Sequence, residues 1–233
     1  EGNINRVGFL FYDITTGKKI AINEDMVCVA ASTYKVGMNV VAYDLANSGE
    51  LDLSSTIWYN SGYYESGTGV LQNQISATLA NPVPIQKLLD YSIIYSDNIA
   101  TNMVSSYLGG ANSVRKQVGY ITGTTGIDIT KNVITPEEEF LLLKKIYDNK
   151  DDANYSHLIS IMKQTIFHDR IDKYIPQEIT AHKIGNYGSY TNDVGIIFTD
   201  KPYIFVMYTN GVSDADELIA DLSNLIYNEQ LNR

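Results

Sequence analysis

Three short motifs along the chain carry the side chains that could perform acyl transfer. In chain order they are Ser32-Thr33-Tyr34-Lys35, Ser96-Asp97-Asn98 and His182-Lys183-Ile184-Gly185. A serine hydroxyl attacks a carbonyl carbon when a neighbouring base removes its proton, and a lysine amine can serve as that base. The three motifs therefore predict a nucleophilic site that forms a covalent acyl intermediate.

The first motif is chosen by its context, because the pattern S-x-x-K also occurs at Ser113 and Ser160. Ser32 opens the segment 34–46, whose apolar residues recur with helical spacing. Ser32 and Lys35 would then lie one turn apart on one helix face, within reach of a proton transfer. Ser113 and Ser160 lie in ordinary polar or amphipathic stretches and are interpreted as surface or packing residues.

The other two motifs gain weight from uniqueness and from position. The 96–98 motif is the one S-x-N sequence in the chain. A purely structural alternative is a helix N-cap, because Ser and Asp are preferred N-cap residues before an apolar helical run. A catalytic role and a capping role are compatible. The 183–185 motif precedes two strand-like runs, 194–199 and 203–208, which favours a place on a sheet.

Several elements must position these motifs. Helices are predicted at 34–46, at two segments between 85 and 108, and at 136–148, 155–167 and 214–231, the last with Leu218, Ile219, Leu222, Leu225 and Ile226 on its buried face. Strands are predicted at 6–13 and 18–23, and the sheet resumes near residue 180. Segment 59–70 contains three glycines and is predicted to be a loop at the edge of a cleft.

With these motifs in this order, the chain resembles the serine penicillin-recognising superfamily, on its class A β-lactamase and penicillin-binding D-alanyl-D-alanine peptidase branches. The resemblance covers residues 4–230. It implies an α+β fold in which an antiparallel sheet flanked by the terminal helices is joined to an all-helical insertion, with the active site in the cleft between them. The implied sheet lobe comprises residues 1–29 and 180–233, and the implied helical lobe comprises residues 30–179.

The resemblance also implies a role for each matching residue. Ser32 would be the nucleophile, Lys35 its base, and Ser96 the relay of a proton to the leaving nitrogen. Lys183 would supply positive potential for the substrate carboxylate. The implied substrate-binding residues are Asn98, which would hold an amide side chain, and Gly185, Asn186, Ser189 and Thr191. The backbone N–H groups of Ser32 and Asn186 would form the oxyanion hole.

Two departures from the family pattern bear on turnover. Class A β-lactamases use a glutamate between the second and third motifs to deacylate, but residues 111–134 contain one acidic residue, Asp128, and no glutamate. Glu137, Glu138 and Glu139 follow Thr135-Pro136 and are predicted to be surface charges in the first turn of a helix, with Thr135 and Glu138 as a capping box. The deacylating glutamate is therefore predicted to be missing.

The second departure is Ile184, which stands where the family has Thr or Ser. That hydroxyl helps to bind the carboxylate of a β-lactam or of a terminal D-alanine, so Ser189 or Thr191 would have to replace it. Both departures argue against an efficient β-lactamase.

Three functions stay open at this point. The first is a penicillin-binding, D-alanyl-D-alanine peptidase-like acyltransferase that acts on peptidoglycan stem peptides and is acylated by β-lactams. The second is a true β-lactamase with an unusual base such as Asp128. The third is a non-catalytic domain that binds the cell wall or senses β-lactams. None of the three needs a cofactor or a metal, and we expect a monomer.

The composition limits the class of protein and the kinds of partner that the sequence allows. The 233 residues are 44% hydrophobic and 19% charged, which is typical of a soluble globular protein, and the net charge of −10 counts against nucleic-acid binding. The sequence contains no apolar run long enough to span a membrane. A chain that opens at Glu1 without Met, together with a wall substrate, predicts a bacterial protein secreted or anchored through a removed N-terminal segment. The single cysteine, Cys28, is predicted to be a core residue.

Overall fold

The computed structural model describes residues 4–232, and an antiparallel sheet runs through the middle of the molecule. Its five strands are β1 (Val7–Asp13), β2 (Lys19–Ile22), β7 (Thr180–Tyr187), β8 (Tyr190–Ile197) and β9 (Tyr203–Asn210), in the order β2-β1-β9-β8-β7. Four two-residue strands form two small pairs, β3 (Cys28–Val29) with β6 (Val133–Ile134) and β4 (Thr56–Ile57) with β5 (Val83–Pro84). Strand β7 is therefore an edge of the large sheet.

Eight α-helices occupy the described residues. They are α1 (Tyr34–Asn47), α2 (Ile75–Ala80), α3 (Ile85–Ile94), α4 (Asn98–Tyr107), α5 (Ala111–Thr122), α6 (Pro136–Asp148), α7 (Ala153–Met162) and α8 (Ala215–Leu231). Seven of them lie between the first and the last strands of the large sheet in the chain. None of the helices in residues 4–232 is both long and apolar enough to cross a bilayer.

Each face of the sheet covers its own apolar core. Because side chains alternate between the faces of a strand, neighbours on β1 enter different cores. Leu10 packs with Val36 of α1 and Leu143 of α6, whereas Phe9 packs with Phe205 and with Ile219 of α8. The antiparallel sheet with helices on both faces confirms the predicted fold class.

Most of the predicted elements are present. Helix α5 was not predicted, and α2 lies in the segment 53–84, which was expected to be mostly loop with short helical pieces. Helix α6 has the predicted bounds, α1 is one residue longer than predicted, and Cys28 is buried as expected. Helix α5 is missing from the prediction because its sequence is polar and only Val114 and Val118 are buried. The division into two lobes stays a prediction, and residues 1–3 and 233 of its boundaries lie outside the described residues.

The predicted surface position of the three glutamates at the start of α6 is correct only for Glu137, which forms a salt bridge with Lys19. Glu138 and Glu139 are buried. Half of the predicted capping box forms, because Thr135 Oγ1 accepts a hydrogen bond from Glu138 N. The Glu138 carboxylate instead accepts a hydrogen bond from Thr124.

Candidate active site

The candidate nucleophile lies where the chain turns from β3 into α1. Ser32 is the middle residue of a 3-10 turn, Ala31–Thr33, that leads directly into the helix. Ala31 has a φ of +51°, a left-handed conformation that costs a non-glycine residue on the order of 1–3 kcal/mol. Asn132 holds this turn, because its side-chain Nδ2 donates to Ala31 O at 3.0 Å and its backbone carbonyl accepts from Ala30 N at 3.0 Å.

Lys35 follows Ser32 by one turn and connects the first two motifs. Its Nζ lies 2.8 Å from Ser32 Oγ, 3.0 Å from Ser96 Oγ and 2.9 Å from Asn98 Oδ1. It also donates to the carbonyl of Ser96 at 2.8 Å. Lys35 is therefore placed between two serine hydroxyls, as a proton carrier between them would have to be.

The second motif occupies the turn between α3 and α4. Ser96 also has a φ of +51°, and Asp97 is the N-cap of α4, because its Oδ1 accepts from Ala100 N at 2.9 Å. The predicted helix cap is therefore present, and the Ser96 hydroxyl contacts both Lys35 and Lys183, while its catalytic role stays a prediction. Thr68 Oγ1 donates to Ser96 O at 2.7 Å, and Asp97 Oδ2 accepts from Val70 N, which confirms segment 59–70 as a loop at this site.

The third motif approaches from the edge strand β7. Lys183 is fully buried, and its Nζ donates to Ser96 Oγ at 3.0 Å and to Ile184 O at 3.0 Å. The hydroxyl of Ser96 is thus bridged by two lysines, Lys35 from α1 and Lys183 from β7. The structure brings all four residues predicted to be catalytic into one hydrogen-bonded cluster.

The pKa values of both lysines, Lys35 and Lys183, are lowered. Burial lowers the pKa of Lys35 to about 7, although the carboxylates of Glu65 and Asp97 oppose the shift. Burial also lowers the pKa of Lys183 well below its ordinary value, and the nearby charge of Lys35 adds to this effect. Near neutral pH, a neutral amine at Lys35 is therefore accessible, which is the form that can accept the proton of Ser32.

Gly185 allows β7 to approach the nucleophile. A Cβ atom at this position would lie 2.7 Å from Ala30 O and 3.3 Å from Ser32 N. The first distance is closer than real Cβ atoms come, so a side chain here would push the strand away from the turn. The absence of a side chain places the free edge of β7 directly against the Ser32 backbone.

The other predicted binding residues lie on α4, on β7 and β8, and in the turn between these two strands. Asn98 is half-buried beside Lys35, and its Nδ2 faces Ser66 O at 3.4 Å. Asn186 is exposed and pairs with Thr191 across β7 and β8. Ser189 lies in the exposed turn between the two strands, where its hydroxyl donates to Asn210 rather than to a residue of the cluster.

The segment 123–134 forms the opposite side of the nucleophile. Asp128 is exposed, and its carboxylate accepts from Thr130 N at 3.0 Å and Thr130 Oγ1 at 2.6 Å while pairing with Lys131. Among the described residues, no carboxylate forms a hydrogen bond with Ser32 or Lys35. Asn132 is the residue of this segment that reaches the nucleophile turn, and no sequence motif marked it.

His168, Asp172 and His182 form a group whose types and distances could suit a metal ion. Asp172 Oδ2 lies 2.5 Å from His168 Nδ1 and 3.2 Å from His182 Nε2, and Asp193 lies 3.0 Å from His182 Nδ1. The would-be ligand atoms thus contact one another directly, as in a closed ion network. Although burial opposes it, the carboxylates of Asp193 and Asp172 raise the pKa of His182 to about 10.

Comparisons with known proteins agree with this geometry. The family model described as "Beta-lactamase enzyme family" matches residues 1–230. The chain belongs to this family. β-Lactamase VEB-1 of Pseudomonas aeruginosa is 27% identical over 183 residues, a match that covers 64% of this chain and 60% of VEB-1.

Two solved structures show the same fold. A mutant of PBP-A, described as an acyl-enzyme complex with penicillin G, has a TM-score of 0.87 at 23% identity, covering 97% of this chain and 90% of that one. A variant of the last common ancestor of class A β-lactamases from Gram-negative bacteria has a TM-score of 0.86 at 19% identity, covering 99% and 94%. These two likenesses show the fold of the chain, and the family match shows the family to which it belongs.

Proposed function

We propose that this member of the β-lactamase family is a penicillin-binding, D-alanyl-D-alanine peptidase-like acyltransferase with Ser32 as nucleophile. One observation supports the proposal most strongly. Lys35 contacts both Ser32 Oγ and Ser96 Oγ, whereas no carboxylate among residues 4–232 is bonded to the nucleophile or its base. The site is equipped to form an acyl-enzyme and lacks a carboxylate base to hydrolyse it.

In the proposed acylation step, the neutral amine of Lys35 takes the proton of Ser32 Oγ as that oxygen attacks the substrate carbonyl carbon. A C–O bond forms, and the carbonyl electron pair moves onto oxygen to give an oxyanion. Backbone N–H groups of Ser32 and Asn186 receive this charge, an effect that is typically worth about 10²–10³ in rate for each donor. The close approach of β7 at Gly185 supports this assignment.

Ser96 completes the step by moving a proton to the leaving nitrogen. Lys35 returns its new proton to Ser96 Oγ while Ser96 gives its own proton to the nitrogen, and the C–N bond breaks. The ester at Ser32 remains, and the leaving group is an amine. The direct contact of Lys35 with Ser96 Oγ supports this route.

Lys183 would recognise the carboxylate of the substrate. Its buried amine has a lowered pKa, and an arriving anion would stabilise its ammonium form. The substrate would therefore bring the counter-charge that this lysine lacks. Ile184 supplies no hydroxyl here, so Thr191 and the backbone of Asn186 are the proposed further contacts on the same strand pair.

Peptides and β-lactams are expected to differ in deacylation. A peptide loses its terminal D-alanine, which can leave the cleft and make room for water or an acceptor amine. A β-lactam keeps its leaving nitrogen tethered to the acyl group, and no carboxylate on the 123–134 side activates water. The PBP-A mutant described as an acyl-enzyme with penicillin G supports the same reading for this chain.

A true β-lactamase is the second candidate, because the family model and VEB-1 both carry that name. This function requires a base on the 123–134 side. Replacement of Asp128 by Asn would then trap the acyl-enzyme, whereas unchanged turnover would exclude Asp128 as that base. The bonds of Asp128 to Thr130 and Lys131 favour the first candidate.

Intact-protein mass spectrometry with benzylpenicillin tests the proposal, with Ser32→Ala as the control. We expect a single adduct on the native chain, no adduct on Ser32→Ala, and release of D-alanine from a D-alanyl-D-alanine peptide by the native chain alone. An adduct that persists on Ser32→Ala would place the nucleophile elsewhere. A native chain that neither forms an adduct nor releases D-alanine would point to the non-catalytic alternative.

A further inference from the structure

A buried chain of hydroxyl groups runs behind the nucleophile and ends at Glu139. Thr33 Oγ1 donates to Ala30 O at 3.0 Å and lies 2.8 Å from the hydroxyl of Tyr208, which lies 2.9 Å from Glu139 Oε2. Thr33, Tyr208 and Glu139 are all essentially inaccessible to solvent. Since Thr33 is the residue after Ser32, this chain connects α6 and β9 to the nucleophile turn.

The number of available protons shows which form of Glu139 this series of hydroxyl contacts requires. It contains three oxygen–oxygen contacts at hydrogen-bond distance, but Thr33 and Tyr208 together supply only two hydroxyl protons. If Glu139 is ionised, one contact has no proton and two oxygen lone pairs face each other. If Glu139 carries a proton, all three contacts are filled in one direction, from Glu139 through Tyr208 and Thr33 to Ala30 O.

The surroundings of Glu139 also favour the neutral acid. Its Oε1 has no hydrogen-bond partner within the described part of the chain, and none of the ion pairs found there involves it. Burial raises the pKa of Glu139 to about 8, with a further rise from Glu138 on the same helix, although the Tyr208 hydroxyl opposes the shift. Cys28 of β3 also faces Tyr208, and burial keeps its thiol neutral by raising its pKa to about 12.

We propose that Glu139 is a positioning residue whose neutral acid form holds the turn at Ala30–Thr33, and thereby Ser32, through Tyr208 and Thr33. Ionisation of Glu139 draws the Tyr208 proton towards the carboxylate and leaves the Tyr208–Thr33 contact without a proton. That change reaches Ser32 directly and reaches β7 through Ala30 O, the atom against which Gly185 packs. The inference rests on the proposed function only where acylation of Ser32 is its readout.

The pH dependence of acylation tests the proposal, with Glu139→Gln as the decisive variant. The Gln amide has nearly the same shape, donates to Tyr208 at every pH and cannot ionise. Acylation of the native chain by benzylpenicillin should fall as the pH rises through about 8, and Glu139→Gln should keep its neutral-pH rate above that pH. The matched control Glu138→Gln changes the neighbouring buried carboxyl, which bonds to Thr124, and should retain the native alkaline fall.

An alkaline fall in Glu139→Gln that equals the native one would overturn the proposal. If Glu139→Gln fails to fold, Tyr208→Phe removes the same connection, and it should also abolish the native fall. Thermal unfolding gives a readout that does not need acylation. Because the pKa is raised in the folded state, the stability from neutral Glu139 is complete below its ordinary pKa of 4.5 and is lost as the pH rises through about 8.

This loss of thermal stability should be absent in Glu139→Gln and present in Glu138→Gln. If the protein loses thermal stability in this way but Ser32 is never acylated, the proposed function is refuted and the structural role of Glu139 is supported. A chain that is acylated by penicillin but shows no difference between the two variants would keep the function and refute the role of Glu139.

Discussion

The two sides of Ser32 differ in the chemistry that they offer. On the side of the second and third motifs, Lys35, Ser96 and Lys183 form a continuous series of contacts between 2.8 and 3.0 Å. On the side of residues 123–134, Asn132 is the residue that reaches the nucleophile turn. Its amide donates a hydrogen bond there but does not act as an acid or a base. One side can move protons during acylation, whereas the other holds the backbone in place.

The difference separates the two halves of a hydrolytic cycle. Acylation needs a base for the serine and an acid for the leaving nitrogen, and Lys35 and Ser96 are the residues proposed for these two roles. Deacylation of a β-lactam needs a base for water, and the carboxylates nearest in sequence are used otherwise. Asp128 caps a surface turn, and Glu138 and Glu139 lie in the protein interior.

Replacing Lys35 by Ala would remove the proposed base from the side of Ser32 that carries Lys35, Ser96 and Lys183. This change has the largest expected effect. Acylation by benzylpenicillin should slow by about 10²–10⁴, the usual scale for the loss of a general base. Stopped-flow or mass-spectrometric measurement of the second-order rate would show this. A near-native rate at neutral pH would assign the base to another residue, with Lys183 as the next to test.

The pH dependence of acylation tests whether neutral Lys35 is the base. Because the pKa of Lys35 is about 7, the neutral amine that accepts the Ser32 proton becomes rarer as the pH falls below that value. The acylation rate should therefore decrease about tenfold for each pH unit below it. A rate that stays level across the acid range would mean that Lys35 reacts in its charged form or is not the base.

Replacing Gly185 by Ala tests how closely β7 must approach. The new Cβ would meet Ala30 O at 2.7 Å, so the strand must shift away from Ser32. We expect roughly tenfold slower acylation and a loss of about 1–3 kcal/mol in the free energy of unfolding. Gly119→Ala is the control on α5, where the new Cβ would lie 3.3 Å from Thr124 O and does not contact β7. Equal acylation by both variants would contradict this requirement for close approach.

Replacing Ile184 by Thr has the smallest expected effect. A hydroxyl that hydrogen-bonds to the carboxylate of a β-lactam should raise the acylation rate several-fold, in line with about 0.5–1.5 kcal/mol for one net hydrogen bond. Ile184→Val removes bulk without adding a hydroxyl and is the matched control. If the Thr and Val variants acylate equally fast, other groups bind the carboxylate.

The site was predictable where a short motif fixes both chemistry and local structure. Ser32 and Lys35 are one helical turn apart, so their contact follows from the sequence. Asp97 is a good N-cap, and this cap orients Ser96. Thr135 followed by Pro136 gave the start of α6 correctly, because the N-cap and a proline at the first turn act locally.

The prediction failed where distant packing overrides local rules. The first turn of α6 favours exposed acids, but Glu139 lies on the same helix face as Leu142, Leu143 and Ile146, which pack into the core. On α8, Leu218 and Leu225 were predicted to be buried and are exposed. The buried residues of this helix include the small Ala215 and Ser223, whose hydroxyl donates to Ile171 O, and an apolar stripe does not reveal such positions.

The lifetime of the penicillin adduct tests the central claim most directly. The native chain should be fully acylated by a slight excess of benzylpenicillin, and after removal of free drug the adduct mass should persist for many times the acylation half-life. The absence of a base for water on the 123–134 side predicts this persistence. Rapid consumption of many equivalents of drug without a lasting adduct would contradict it and would mean that this side contains a working deacylation base.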